Sequence, residues 1–331
     1  MSRVVEIHRA GGPEVLEIRE AAIGEPAADE VRIRVKALGI NRVDMMWRMD
    51  QCTERVKFPA RLGYEAAGIA EAVGSQVTHI AAGDLVSVIP AFSLNQYGMY
   101  GEVVMAPAVA VVRSPPGLTF VEAASIWMMF ITAYGALIEI ADLQAGETVL
   151  VTAASSSVGL AAIQIATRVG AIPVAITRTS AKRKQLLDAG AAYVVAVEEQ
   201  DLVREVSRIT NGTGARVAFD SVGGSRFAEL VQSLSLFGTI FVYGMLSKEP
   251  TQLPMLDMVG KFPIIRGHTI WTTASNPGRL TAAVDFISSG LTSGRLRPVI
   301  DRVFPFDQLA DAHRYMERNE HFGKIVVSVG E

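Results

Sequence analysis

Apolar and polar residues alternate in VRIRVKA (31–37), with Val31, Ile33 and Val35 on one face and Arg32, Arg34 and Lys36 on the other. A period of two is the mark of a half-buried strand. Shorter apolar runs predict further strands at 4–7, 66–73, 84–89, 101–106 and 110–113, and GGP (11–13), AAGD (81–84) and PPG (115–117) supply turns between them. Short strands punctuated by glycine and proline predict a β-rich module, and Pro115-Pro116-Gly117 reads as its boundary.

After that boundary the rhythm changes. Thr119 and Glu122 have capping-box spacing, and an apolar helix is predicted from 121 toward 140. Buried strands at 148–153, 173–178, 193–197, 216–220 and 239–244 then alternate with helices at 158–171, 181–190, 201–210 and 226–234. This alternation predicts an α/β fold with a doubly wound parallel sheet. A helix at 308–317 and a strand at 324–329 close the chain, and no internal repeat is visible.

Composition narrows the class. The 331 residues suggest two domains, and at 50% hydrophobic and 20% charged the chain can bury substantial cores. With 31 basic and 34 acidic side chains the net charge is −3, which argues against broad electrostatic binding to nucleic acid or an acidic membrane. The single cysteine, Cys52, excludes an intrachain disulfide and any zinc site built from several thiolates. No stretch reads as an uninterrupted membrane span of roughly 20 residues, and the N-terminal residues lack a signal peptide's apolar block. The expectation is a soluble, cytoplasmic protein.

The turn Ala153-Ala154-Ser155-Ser156-Ser157-Val158-Gly159 joins a buried strand to an apolar helix. In a dinucleotide fold such a turn lets backbone N–H groups face a pyrophosphate, and small residues permit close approach. Serine-rich turns also serve simply as helix caps. The next strand ends in Thr177-Arg178-Thr179-Ser180-Ala181-Lys182-Arg183, without a carboxylate where NAD-selective folds place one for the ribose hydroxyls. Thr177, Arg178, Ser180 and Lys182 offer hydroxyl and cationic donors to a 2′-phosphate, so the expected cofactor is NADP(H). The rival reading is a solvated helix start capped by Ser180. Tyr243 and Gly244, closing the strand TIFVYG, are placed with the cofactor residues.

The sequence resembles the medium-chain dehydrogenase/reductase superfamily, and within it the zinc-free, quinone-oxidoreductase-like branch. The resemblance is carried by LGINRVDMMWR (38–48), PARLGYEAAGIAEAVG (59–74), AAGDLVSV (81–88), TAYGAL (132–137), AASSSVGLAAIQIA (153–166), FDSVGG (219–224) and HFGKIVVSV (321–329). It implies a GroES-like domain over 1–118, completed by 292–331, a Rossmann domain over 119–291, and an active-site cleft between them. Alcohol dehydrogenases of the superfamily hold a catalytic zinc through Cys, His and Cys with a nearby Glu. The resemblance puts Asn41, Tyr64 and Met128 at the Cys, His and Cys positions and leaves only Glu65. The proton-relay hydroxyl is replaced by Val43, and the five histidines show no paired metal-ligand spacing. No metal is expected.

The resemblance further places Asn41 and Asp44 near the nicotinamide, Thr132 against it, and Arg42 and Lys324 within reach of the cofactor. Three of these have a structural alternative: an ion pair for Asp44 and Arg42, an internal helix hydroxyl for Thr132. Tyr64, at the former histidine position, is expected to donate a hydrogen bond or proton, or else to fill the vacated space. Trp47, Phe92, Tyr97, Tyr100 and Trp271 are candidate lining for an apolar pocket. The expected activity is NADPH-dependent hydride transfer to a quinone or α,β-unsaturated carbonyl, a small electrophilic acceptor, by a homodimer paired through FPIIRGHTI (262–270). The alternatives are an alcohol/aldehyde dehydrogenase and a non-enzymatic NADPH-binding regulator, including one that binds nucleic acid.

Overall fold

The computed structural model describes residues 1–330. They form two compact units, one of Met1–Met128 together with the segment from Pro298 onward, the other Met129–Arg297. The first unit runs β1 (Ser2–Ile7), β2 (Glu17–Ala21), β3 (Glu30–Ile40), α1 (Arg42–Arg48), β4 (Ala60–Arg61), β5 (Glu65–Val73), β6 (Leu85–Val88), β7 (Val103–Pro107), β8 (Val111–Arg113) and α2 (Phe120–Ala123). It extends past the Pro-Pro-Gly turn to Met128. The predicted alternation in β3 holds: Val31, Ile33 and Val35 are buried, while Arg32 and Arg34 pair with Glu71 on β5. Strands β2 and β4 were not predicted. The first is exposed over four of its five residues and the second is two residues long, so neither carries an apolar alternation.

The predicted 121–140 helix is three pieces: α2, α3 (Trp127–Tyr134) and a π-helical turn over Gly135–Ile140. Thr119 caps α2 and forms the predicted box with Glu122. Ser125 then bonds the Glu122 carbonyl through both its N–H and its hydroxyl, tightening the turn before α3. By length and composition the run Phe120–Ile140 could cross a membrane, contrary to the sequence reading, with a mean hydropathy of 1.6. Of its apolar stretch 78% is buried inside the molecule, so these pieces serve as core.

The second unit alternates β9 (Thr148–Val151), α4 (Ser157–Arg168), β10 (Ile172–Thr177), α5 (Arg183–Asp188), β11 (Tyr193–Ala196), α6 (Leu202–Ile209), β12 (Ala215–Asp220), α7 (Phe227–Gln232), β13 (Leu234–Val242), α8 (Met255–Lys261) and β14 (Ile264–Gly267), followed by α9 (Trp271–Ala274) and α10 (Pro277–Thr292). All six strands are parallel, in the order β11-β10-β9-β12-β13-β14. Strand β9 is buried at every residue, as expected of a sheet covered on both faces. The order reverses between β9 and β12, the switch point where open α/β sheets bind ligands. Helix α10 was not predicted, since its apolar residues are diluted by Gly, Ser and Thr. Asn276 caps it, Pro277 opens it, and Ala283 and Ile287 bury one face.

In the first unit β15 (Ile300–Pro305) and β16 (Lys324–Ser328), with α11 (Leu309–Glu317) between them, complete a seven-stranded sheet. Strand β16 pairs antiparallel with β3, Ile325 opposite Ile40 and Ser328 opposite Ala37. This return brings Lys324 beside the end of β3.

Candidate active site

In the second unit, Ala153 takes a left-handed conformation (φ 43°) and turns the chain from β9 toward α4. Ser156 caps α4, its hydroxyl oxygen accepting the Gly159 N–H at 3.1 Å. A Cβ on Gly159 would stand 2.7 Å from the Ala153 carbonyl and 2.8 Å from the Ala154 Cα, so only glycine lets α4 approach the loop this closely. Lys182 reaches from the 3-10 turn before α5 to the Ser155 hydroxyl at 3.3 Å. Tyr243 stacks on Phe219 at 4.0 Å, and its buried hydroxyl, beside Ser156 and Ser221, has no hydrogen-bond partner. Burial pushes that phenol up, so it stays protonated and able to donate. A small-residue turn, a capped helix start and an orphaned hydroxyl fit a bound dinucleotide phosphate.

Three polar residues near this loop escaped the sequence reading. Thr152 donates to Asp220 at 2.7 Å, and the Asp220 carboxylate also takes the N–H groups of Val222 and Gly223. Asp220 was visible within FDSVGG, yet nothing in that string says it braces the far side of the switch point. The third is Glu199. Its Oε1 accepts the Ser180 N–H at 2.8 Å and the Ser180 hydroxyl at 3.2 Å. A carboxylate from the turn after β11 therefore stands beside Ser180, although 177–183 itself has none. Arg178 and Ser180 are exposed. Thr132 is buried, and its carbonyl accepts His268 Nε2 at 2.8 Å.

In the first unit, Asn41, Asp44 and Lys324 meet Glu65. The buried Lys324 ammonium contacts Glu65 Oε2 at 2.5 Å and Asn41 Oδ1 at 2.6 Å. Asn41 Nδ2 donates to the same Glu65 oxygen at 2.9 Å and to the Gly39 carbonyl at 3.2 Å. Glu65 Oε1 accepts the Met128 N–H at 2.7 Å. One ammonium–carboxylate pair thus joins the ends of β3 and β5, the start of β16 and the head of α3. Gly39 makes room for it, because a Cβ there would lie 2.1 Å from the Ala124 carbonyl and 3.0 Å from the Lys324 Cε.

Asp44 Oδ2 accepts the Asn41 N–H at 2.8 Å and the Tyr100 hydroxyl at 2.9 Å, while Oδ1 has no partner. Burial pushes this carboxyl up to about 7, against the opposing pull of its hydrogen bonds and of Lys324. A folded pKa above the unfolded one means that the native state holds the proton longer, so stability falls as pH rises from about 4 to 7 and then levels. Asp44→Asn keeps an acceptor for both donors, and we expect it to flatten that slope. Urea unfolding between pH 5 and 8 measures the effect, and a wild-type slope unchanged in the variant contradicts it.

Arg42 bonds the end of α11 through the Met316 carbonyl at 3.4 Å and the Asn319 side chain. Tyr64 is buried with its ring 5.6 Å from Phe92, and burial near Asp44 and Cys52 raises its phenol, keeping it protonated. Among the pocket-lining candidates, Tyr97 donates to Glu30 at 2.9 Å, and the Tyr100 hydroxyl lies between Asp44 and His313 Nε2, the latter at 3.2 Å.

The chain matches the family model for the alcohol dehydrogenase GroES-like domain over residues 27–116 and that for zinc-binding dehydrogenase over 189–327. The human synaptic vesicle membrane protein VAT-1 homolog is 30% identical over 95% of this chain and 83% of its own. A crystal structure of an NAD-dependent alcohol dehydrogenase superimposes with a TM-score of 0.91 at 31% identity, covering 99% of this chain and 100% of that one. The Escherichia coli quinone oxidoreductase complexed with NADPH gives 0.89 at 30% identity, covering 98% and 99%. The zinc in the second family description does not fit the residues present: an amide, a protonated phenol and a thioether stand at the resembled ligand positions. Among the described residues no three His, Cys, Asp or Glu side chains are gathered as metal ligands would be. By fold and by sequence over nearly its whole length, the chain belongs to the medium-chain dehydrogenase/reductase superfamily, in the company of its quinone oxidoreductases.

Proposed function

We propose that the protein is a zinc-independent, NADPH-dependent reductase of quinones or α,β-unsaturated carbonyl compounds, working as a homodimer in the cytoplasm. The observation that carries this reading is the buried Lys324–Glu65–Asn41 cluster closed by the Met128 amide. Two resembled metal-site residues, Asn41 and Glu65, are committed to the Lys324 ammonium, and Glu65 also holds the Met128 N–H, so no Lewis acid is at hand to ionise an alcohol. A conjugated acceptor needs none, because its C=C–C=O or quinone system is already polarised and positioning suffices. NADPH, when bound, supplies the hydride.

The chain's own residues then hold and orient. The loop Ser155, Ser156, Ser157, Val158 and Gly159 receives the pyrophosphate at the head of α4. Thr177, Arg178, Ser180 and Lys182 receive the 2′-phosphate, and the unpartnered Tyr243 hydroxyl beside Gly244 donates to the cofactor. The Tyr64 phenol, kept protonated by burial, donates a hydrogen bond to the acceptor oxygen. Asn41, Asp44 and Lys324 act as positioning residues through the cluster at the end of β3. The NADPH complex of the Escherichia coli quinone oxidoreductase supports the cofactor assignment.

The test is an NADPH-oxidation screen over quinones, enones, aldehydes and alcohols in metal-free buffer. We expect turnover with conjugated acceptors that is indifferent to chelators, a preference for NADPH over NADH, and a fall in turnover in Tyr64→Phe. Chelator-sensitive alcohol oxidation with NAD would instead favour a dehydrogenase, the reading that the similar NAD-dependent alcohol dehydrogenase supports.

The homodimer rests on β14, an edge strand of the parallel sheet. Phe237, Leu256, Val259, Phe262 and Ile264 on β13, α8, β14 and the turn before β14 are all more than half exposed. Exposed apolar side chains beside an open strand edge favour pairing with a second copy. Light scattering should give twice the 35.5 kDa chain mass, and Leu256→Asp with Val259→Asp should give the single mass. A wild-type monomer at micromolar concentration contradicts this.

A further inference from the structure

The 2′-phosphate donors assigned above include Ser180, and the structure gives both Ser180 donors another acceptor. Its N–H and hydroxyl converge on one oxygen of Glu199, at 2.8 and 3.2 Å. Glu199 is held in place by its own turn, whose Glu199 N–H bonds the Ala196 carbonyl at 2.9 Å and whose Glu198 N–H bonds the Arg178 carbonyl at 3.0 Å. Arg183, fixed through the Val194 carbonyl and Gln200 at 2.9 Å each, lies close enough to help hold the Glu199 carboxyl below the usual carboxylate range. The Ser180 hydrogen bonds contribute most to that lowering. An anion is therefore already seated among these donors, and it belongs to the chain.

We propose that Glu199 is a specificity-determining residue that competes with the cofactor's 2′-phosphate for Ser180 and restrains the preference for NADPH over NADH. The inference rests on the NADP(H) reading above. A serine hydroxyl has a single proton to donate, and while Glu199 holds it a phosphate cannot take it. A phosphate entering beside Arg178 and Lys182 also meets a like charge unless the Glu199 side chain turns away. With a ribose 2′-hydroxyl instead of a phosphate there is no repulsion, and the carboxylate can accept from that hydroxyl, so Glu199 does not disfavour NADH. Glu199 is exposed, and its bond to the Ala196 carbonyl is made by its backbone, so replacing its side chain should leave the fold intact.

The experiment is calorimetric titration of the full chain, wild type, Glu199→Gln and Glu199→Ala, with adenosine 2′,5′-bisphosphate and with adenosine 5′-monophosphate. Removing one competing charge-assisted acceptor should tighten the bisphosphate about tenfold in Glu199→Ala and by less in Glu199→Gln, which keeps an uncharged acceptor. Affinity for the monophosphate should stay level or fall, a split that a merely structural role of Glu199 would not produce. Unchanged or weakened bisphosphate binding in both variants overturns the proposal while leaving the NADP(H) reading standing. If wild type and both variants bind the two nucleotides equally, the 2′-phosphate site itself is refuted.

Discussion

Replacing Lys324 with methionine is expected to lower the unfolding free energy by about 3–5 kcal/mol, the usual cost of removing one member of a buried ion pair. Methionine fills similar volume but leaves the Glu65 carboxylate, 1% exposed, without its compensating charge. Asn41 Oδ1 loses a donor at the same time. The companion variant Lys324→Met with Glu65→Gln removes both charges, and its glutamine oxygen can still accept the Met128 N–H. It should recover at least half of the loss, giving a favourable coupling between the two positions in a double-mutant cycle. Denaturant unfolding at pH 7 measures all four corners. A single variant within about 1 kcal/mol of wild type, or additive effects, would show that the ammonium is not what holds these segments together.

The second large effect concerns the cofactor. Arg178→Ala combined with Lys182→Ala should raise the KM for NADPH about 100-fold, since each charged hydrogen bond to a phosphate is worth about 1.5–3 kcal/mol. The KM for NADH should change much less, because neither residue has a 2′-phosphate to meet in that complex. Some loss with NADH is expected through Lys182, which also touches the Ser155 hydroxyl in the turn before α4. Equal losses with both cofactors would mean that these cations serve the pyrophosphate or the fold. The Glu199 variants shift the same ratio in the opposite direction.

Much of the fold was legible because burial leaves a local imprint. Strand β3 showed its half-buried face in Val31, Ile33 and Val35, and β9 its burial on both sides in an unbroken apolar run. Thr119 and Glu122 announced the start of α2 through capping chemistry confined to four residues. Strand β2 and helix α10 left no such imprint. One is solvent-exposed, and the other buries few residues among small polar ones. The break between α2 and α3 also lay hidden, because Ser125 and its neighbours read as continuous helix until its bonds to the Glu122 carbonyl are seen.

The candidate site divides in the same way. The turn at 153–159 was legible because strand, small-residue turn and helix follow one another in the chain. Asn41, Tyr64 and Met128 were singled out through the motifs around them. Their partners were not. Lys324 reaches Asn41 and Glu65 only because β16 pairs with β3, and Glu199 reaches Ser180 only because β11 lies beside β10.

The sequence by itself therefore determined the two-unit α/β architecture and the strand, small-residue turn and capped helix at 148–168. Tertiary structure decided which charge answers Glu65 and which carboxylate stands at Ser180. The physical reason is one of range. Periodicity, capping and turn chemistry act over a few residues and are written along the chain. Hydrogen bonds and ion pairs act over about 3 Å in space, between side chains that strand pairing alone brings together.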